Sequence, residues 1–395
     1  MKESSRQLGI YRAPALNAED LTVLAEIHQM RKELRRVLRT PKRWQGGLRR
    51  SALARAIRGS NSIEGYEVAE DDAAAALDDE EPISADERTF LEIQGYRDAL
   101  GYVLAMGDED FLAFDAAELR AMHYMMLRHD SSKSPGRYRK GPVFVHGERF
   151  DRVVYEGPDA ADVPALMDTL VESLREGADL DPVVLSAMAH LNLVMIHPFR
   201  DGNGRMARAL ATSVLTRSDI GEPEFTSIEE WLGANTDDYY AVLALTGHGS
   251  RQPRGDADLW VSFNLRAHHM QAQTVARRVQ EAGETWNELD ILAARHKLPE
   301  RSIDAMFEAV LGYRVRRNTY QKRTGVEDQT ATRDLATLAG AGVLTPHGNG
   351  RGRFYSAGEP LQAIQQSRRA RRQPLRDPYP WMRARLATPD EGVPV

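Results

Sequence analysis

The stretch that decides the fold is His197–Arg208, HPFRDGNGRMAR, set between two apolar runs, DPVVLSAMAHLNLVMI (Asp181–Ile196) and RMARALATSVL (Arg205–Leu215). The first run opens with Asp181-Pro182, a capping side chain followed by proline at the first helical position. Pro198 biases the residue before it away from helical backbone, so that helix is expected to stop near Ile196 or His197. In the second run Met206, Leu210 and Val214 recur four apart, the spacing of one helix face. The stretch therefore reads as a helix–loop–helix, in which a histidine ends one helix and glycines open the next.

Helical periodicity continues on both sides. In NAEDLTVLAEIHQMRKELRRVL, Leu21, Leu24, Ile27, Met30, Leu34 and Val37 form one stripe, with Asn17 as cap and Pro41 beyond the end. LRRSALARAIRGSNSIEG follows and closes at Gly65. The acidic, alanine-rich EVAEDDAAAALDDEEP reads as a solvated connection or short helix. SADERTFLEIQGYRDALGYVL opens with Ser84 and Glu87 at capping-box spacing. After the helix AAELRAMHYMMLRH the grammar changes: in SPGRYRKGPVFVHGERFDRVVYEGP, the β-prone PVFV and RVVY flank a polar turn, which predicts a hairpin. Beyond residue 217, DDYYAVLALTGHG, DADLWVSFNLRAHHMQAQTVARRVQEAG and then two further helices in TWNELDILAARHKLPERSIDAMFEAVLG are expected.

Length and composition narrow the class. A chain of 395 residues is expected to divide into two or three domains. It has 42% hydrophobic residues, a formal net charge of -6 and no cysteine, so a disulfide framework and a thiolate metal site are excluded. The N-terminus lacks the apolar core of a secretory signal, and no apolar run reaches the ~18 residues of a membrane span. A soluble, cytoplasmic protein is expected.

The loop's residue types point to phosphate chemistry. Gly202, Asn203 and Gly204 at a helix start allow several backbone N–H groups to converge on one anion, helped by the positive helix end. Arg205 and Arg208, three apart, share one side of the first turns, where guanidinium forks suit phosphate oxygens. Asp201 can hold Mg²⁺, which takes one or two carboxylates together with phosphates and water. His197 can take a proton from an attacking hydroxyl. Read separately, a histidine at a helix end and a DGNG turn are ordinary structural features. Together they specify hydroxyl attack on a metal-bound polyphosphate.

HPFRDGNGRMAR resembles, position for position, the signature of the Fic family, His-Pro-Phe-x-Asp/Glu-Gly-Asn-Gly-Arg-x-x-Arg. PGRYRKGPVFV and YEGP resemble that family's flap hairpin, which holds the target by strand addition, here through Val143, Phe144 and Val145. One departure is Gly157-Pro158, where relatives often carry two prolines. The resemblance covers about residues 45–265. It implies a protein adenylyltransferase that moves AMP from ATP onto a Ser, Thr or Tyr hydroxyl of a target protein or of itself. It further implies His197 as the base, Asp201 as the Mg²⁺ ligand, Gly202, Asn203 and Gly204 as the phosphate cradle, and Arg205 and Arg208 on the polyphosphate. Phe199 is expected to anchor the loop in the core.

SNSIEG, Ser60–Gly65, reads by itself as a helix end with Glu64 in the last turn, a placement the helix dipole disfavours. It resembles the family's inhibitory pattern Ser/Thr-x-x-x-Glu-Gly/Asn, which implies that Glu64 pairs with Arg208 and obstructs the γ-phosphate. The reverse reaction, removal of AMP, stays open.

VEDQTATRDLATLAGAGVLTPHGNGRGRFYS resembles a winged helix. From Arg301 to Arg372 there are 13 Lys and Arg against 6 Asp and Glu, a surplus of 7. That surplus suits DNA backbone contact, and equally a protein-docking or homodimer-orienting module. His268-His269 are adjacent rather than three or four apart, so they are not expected to bind metal.

The expected architecture is mainly α: an N-terminal helical region with the inhibitory motif (1–110), a Fic core with a β-hairpin flap (111–217), a helical extension (218–285), a winged-helix-like domain (286–376) and a tail (377–395). The expected partners are ATP, Mg²⁺ and a target protein. The competing expectation is a nucleic-acid-binding regulator whose Fic portion senses nucleotide, or a transferase for another nucleotide.

Overall fold

The computed structural model describes residues 9–82, 84–107, 114–147, 152–218 and 226–387. At its centre lies α7 (Pro182–Ile196), capped by the Asp181 side chain on the Val183 N–H. Almost every residue of α7 is buried. A helix that is apolar all round belongs between other elements rather than on a surface. It ends at His197, which adopts the left-handed conformation (φ 50°, ψ 58°). After the loop, Gly202 (φ 75°) turns the chain into α8 (Asn203–Thr216).

One face of this helical pair joins α2 (Gln45–Ile63), α3 (Glu70–Leu77), α4 (Glu87–Ala105), α5 (Ala116–Leu127) and α6 (Val163–Glu176). Ile57, Ile93, Met126, Leu170, Phe199 and Leu210 interlock there. The opposite face of α7 packs on α1 (Ala18–Leu38), α9 (Glu229–Ala234), α10 (Thr236–Gly247) and α11 (Asp258–Arg295), through Ile27, Leu191, Tyr239 and Trp260. The hairpin is β1 (Phe144–Gly147) paired antiparallel with β2 (Arg152–Glu156), with a register shift at Val145/His146. The mainly helical expectation with one hairpin in the core holds.

A third cluster forms around the end of α11. It gathers α12 (Ser302–Leu311), β3 (Val315–Arg316), α13 (Arg317–Thr324), α14 (Asp328–Gly340), β4 (Leu344–His347), β5 (Phe354–Ala357) and α15 (Glu359–Arg371). The strands form an antiparallel sheet of order β3-β5-β4. Leu48 and Trp44, at the start of α2, share this core with Trp286 and Phe307.

Several local expectations change. The α4 cap is Asp86, whose carboxylate accepts from the Thr89 N–H, and not Ser84. On α1 the buried stripe is Val23, Leu24, Ile27 and Leu38, leaving Leu21 and Val37 exposed, because α11 covers a face rotated from the one the spacing selected. The alanine-rich segment takes the second of its two expected forms, a short helix, but one sealed in the core, with Ala73–Ala76 and Asp72 buried. α11 runs unbroken through Gly283, so a boundary at 285/286 falls inside one helix. The 377–395 tail is docked as far as it is described: Tyr379 and Met382 are fully buried, and the Tyr379 hydroxyl donates to Asp20 at 2.7 Å. A short α16 (Met382–Ala387) ends it. Among the described residues no helix is long and apolar enough to cross a membrane.

The basic surplus of the C-terminal segment is largely engaged within the protein. Arg314 and Arg316 face Asp71, Arg316 faces Glu80 at 2.7 Å, Arg323 faces Glu308, and Arg368 and Arg372 share Glu281. The acidic residues of α3 and its following turn thus act as a dock for β3 and α13. Asp72 organises this dock by accepting from the Ser84 and Ala85 N–H groups at 2.9 and 3.0 Å. Asp72→Ala strands those donors and is expected to lower the unfolding free energy by about 2 kcal/mol, measured by urea denaturation.

Candidate active site

The His197–Arg208 loop is braced from within. The Asn203 side chain accepts from the Phe199 N–H at 2.9 Å and donates to the Phe199 carbonyl at 3.0 Å. Its amide is therefore committed to holding the loop, which leaves its backbone N–H, the group the sequence offered to an anion, at the start of α8. Phe199 is fully buried, as expected, and stacks on His123 with ring centroids 3.7 Å apart. Gly202, Asn203 and Gly204 open α8, so their N–H groups stand at the positive end of that helix.

Asp201 sits above this cradle. Its Oδ1 accepts from the Gly202 N–H at 2.6 Å, and its Oδ2 lies 2.8 Å from Lys133 Nζ. Burial alone would raise its pKa, but the Lys133 ammonium holds it below the usual carboxylate range. Among the described residues no group of three or more His, Asp or Glu gathers to hold a metal ion. One carboxylate fits a Mg²⁺ that arrives with phosphate and water as its other ligands, not a resident ion.

Arg205 and Arg208, expected on one side of the first turns of α8, are both buried to within 1%. Arg205 Nη1 donates to Glu92 on α4 at 2.6 Å, and its guanidinium lies over the Tyr66 ring. Its Nε and Nη2 have no hydrogen-bond partner. Burial would raise the Glu92 pKa, but Arg205 and Lys133 hold it down to about 2. Arg208 donates from Nε to the Ser60 hydroxyl at 2.7 Å and from Nη2 to the Ser60 carbonyl at 2.8 Å. The same Nη2 reaches Glu64 Oε1 at 2.7 Å. Burial opposes the Arg208 charge, yet the Glu64 carboxylate outweighs it and keeps the pKa above the ordinary value. Arg208 Nη1 is buried without a partner.

Glu64 is the C-cap of α2, followed by Gly65 at φ 80°. Its Oε1 stands 2.4 Å from where a Cβ on Gly204 would be. The carboxylate thus lies directly over Gly204 at the start of α8.

His197 is partly exposed at its edge, but its ring is enclosed enough that burial pushes its pKa down to about 4. Nδ1 lies 3.2 Å from the Val194 carbonyl, which can only accept. The proton is therefore assigned to Nδ1, leaving the Nε2 lone pair available.

Arg139 connects this histidine to the hairpin. It donates to the His197 carbonyl at 2.8 Å, to the Gly141 carbonyl at 2.8 Å, and to the Pro158 carbonyl. Tyr155 on β2 donates to the Met195 carbonyl. Phe144 on β1 is exposed, Val143 and Val145 are half-buried, and the Gly157 N–H donates to the Val143 carbonyl at 3.1 Å. Gly157 has a steric reason, since a Cβ there would stand 2.5 Å from Val143 Cγ1. Among the described residues β1 pairs with β2 alone, so its other edge is open.

Glu92, Lys133, His123, Arg139 and Tyr66 were not singled out in the sequence. Glu92 and His123 fall on helix positions that look like any others. His123 accepts at Nδ1 from the Gly136 N–H at 2.9 Å, and its Nε2 lies 3.0 Å from the Asp201 carbonyl. Only Lys133, just before the PGRYR stretch, and Arg139, its last residue, carried a signal in their position before the hairpin.

Residues 113–215 match the family model described as Fic/DOC family. A curated relative, Protein adenylyltransferase Fic of Nematostella vectensis, is 32% identical over 167 residues, covering 41% of this chain and 35% of the relative. Protein adenylyltransferase fic-1 of Caenorhabditis elegans is 30% identical over 171 residues, 42% of this chain and 31% of that protein. The chain spans about a third of the length of the curated relatives it matches. Among solved structures, a Fic family protein from Desulfovibrio desulfuricans G20 aligns with TM-score 0.55 at 23% identity, over 88% of this chain and 99% of that one. Fic-1 from C. elegans aligns with TM-score 0.51 at 23% identity, over 68% and 74%. These two likenesses are of fold.

The proximity of Gly204 to Glu64 yields a double-mutant test. Gly204→Ala is expected to displace the Glu64 carboxylate and cost about 1–3 kcal/mol. Glu64→Gly in the same chain is expected to recover most of that loss in urea denaturation. Strictly additive losses would mean that the two positions do not meet.

Proposed function

With residues 113–215 a Fic/DOC-family domain, we propose that this chain is a protein adenylyltransferase that transfers AMP from ATP to a hydroxyl side chain of a target protein, or of itself, restrained by Glu64. One observation carries the reading: an unprotonated His197 Nε2 stands at one end of a loop whose other end is an anion cradle at the start of α8.

In the proposed reaction the target hydroxyl oxygen attacks the α-phosphorus of ATP. The new O–P bond forms as the bond to the β-phosphate bridging oxygen breaks, and pyrophosphate leaves. The hydroxyl proton passes to His197 Nε2. The N–H groups of Asn203 and Gly204 hold the α-phosphate and stabilise its developing charge, while the Gly202 N–H is held by Asp201. The partnerless donors of Arg205 and Arg208 take oxygens of the polyphosphate. Asp201 would hold a Mg²⁺ arriving with the nucleotide, and that ion would supply neutralisation of the phosphate charge. The open edge of β1, at Val143–Val145, takes the target segment as an added strand. The names of the relatives support adenylyl transfer.

Inhibition follows from the same geometry. Glu64 engages Arg208 and stands over Gly204, so a triphosphate would meet a carboxylate where its own charge belongs. For the C-terminal segment we favour a winged-helix-like docking module over DNA binding. The engagement of its arginines by Asp71, Glu80, Glu281 and Glu308 supports that choice.

Glu64→Gly is expected to raise transfer of labelled AMP tenfold or more, about 1.4 kcal/mol per tenfold. Arg208→Ala should not imitate it, since it removes the lock and a phosphate ligand together, and His197→Ala should abolish transfer while ATP still binds. Equal initial rates for wild type and Glu64→Gly would reduce Glu64 to a helix-end residue.

The depressed His197 pKa sets a second expectation. A base works when deprotonated, so with a pKa near 4 it stays competent as pH falls from 7 to 5.5. In Glu64→Gly, kcat/KM should change little over that range, whereas an ordinary histidine would lose about eightfold.

A further inference from the structure

Away from the cradle, α2, α3, α9, α11, α12 and α15 enclose a cavity of about 230 Å³. Five arginines line it: Arg55, Arg278, Arg368, Arg369 and Arg372. Three carboxylates oppose them, and each is already shared. Arg278 holds Glu230 through two bonds of 2.6 Å, with Arg55 at 3.8 Å from the same carboxylate and 2.8 Å from Glu70. Arg368 and Arg372 both grip Glu281 at 2.8 Å. Arg369, on the exposed last turn of α15, has no ion pair among the described residues, and Arg368 Nε is buried without a partner. Beside them, Arg277 is held below its ordinary pKa, first by burial and then by the Arg372 charge.

The lining therefore carries two more positive charges than negative around a space large enough for a ligand. Such a surplus, partly buried, is relieved by an anion. Guanidinium forks converging from separate helices favour phosphate, whose oxygens accept them in pairs. The size sets an upper limit, since the cavity is below the ~300 Å³ at which ligand pockets usually begin. No aromatic ring lines it, so nothing there would stack a nucleobase. We propose that this cavity binds a small anion carrying two phosphate groups and no base, with Arg368, Arg369 and Arg372 as its main ligands.

Its position links it to the segment that carries Glu64, a consequence that rests on the inhibitory reading above. Arg55 precedes Glu64 by nine residues on α2, roughly 13 Å along the axis. Glu230 lies on α9, and α9 touches α2 backbone to backbone: a Cβ on Gly59 would stand 2.4 Å from the Glu229 carbonyl oxygen, and one on Gly233 would stand 2.7 Å from Gly59 Cα. An anion that draws Arg55 and Arg278 from Glu230 alters the tie that holds α9 against the end of α2. Occupancy and the Ser60–Glu64 grip on Arg208 are therefore coupled.

The test is calorimetric titration of the full chain with inorganic pyrophosphate, paired with hydrogen-exchange mapping of the bound state. Arg369→Ala, at an exposed position, and Arg368→Ala should each weaken binding tenfold or more. Exchange should slow at residues 365–372, and it should change at residues 60–64. Absence of pyrophosphate binding, unchanged affinity in Arg369→Ala, or protection confined to residues 202–205 would each overturn the site. Protection of 365–372 with no change at 60–64 would overturn the coupling alone. Neither readout depends on adenylyl transfer, so the site stands or falls separately from the proposed activity.

Discussion

Two guanidinium groups buried three residues apart on α8 impose the arrangement of everything around them. Removing a charge from water costs several kcal/mol unless a partner and further hydrogen bonds offset it. Arg205 obliges α4 to present Glu92, and Arg208 obliges α2 to end where Ser60 and Glu64 can reach it. Neither helix can move without stranding a cation in the core. The packing of α2 and α4 on α8 is thus also the means by which the site is assembled.

The partners do not saturate these arginines. Donors on both remain without acceptors, next to the start of α8, where the N–H groups of Asn203 and Gly204 stand at the positive helix end. That incomplete satisfaction is what a binding site for phosphate oxygens requires, since unsatisfied buried donors gain most from a charged acceptor. Glu64 supplies part of the missing negative charge from within the chain. His197 shows a related compromise: it adopts a left-handed backbone conformation that costs a non-glycine residue of order 1–3 kcal/mol. Arg139 at its carbonyl and Val194 at its ring fix the result.

The C-terminal segment follows the opposite logic. Its basic residues meet acids on α3, α11 and α12, so charge that would otherwise suit a nucleic acid is turned inward. These contacts run beside the helix that carries Glu64, and they place a cationic cavity between the C-terminal elements and the core.

The helix–loop–helix, the hairpin and the end of α2 at Gly65 were legible in the sequence because each rests on local chemistry. Proline excludes helix before it, glycine accepts positive φ, and apolar side chains recur at a period set by the backbone. The residue types of the cradle were legible for the same reason, since Gly202, Asn203 and Gly204 are contiguous. Which way side chains face was not. Spacing put Arg205 and Arg208 on one side of a helix, but only the packing of α2 and α4 decided that this side is interior. Spacing likewise suggested Leu21 and Val37 for the core, and the position of α11 left them exposed. That the Asn203 side chain braces the loop through Phe199 was also hidden until the fold brought the two together. Glu92, 113 residues from Arg205, could be identified only once the chain had folded, because a buried charge chooses its partner by distance in space and not by order in sequence.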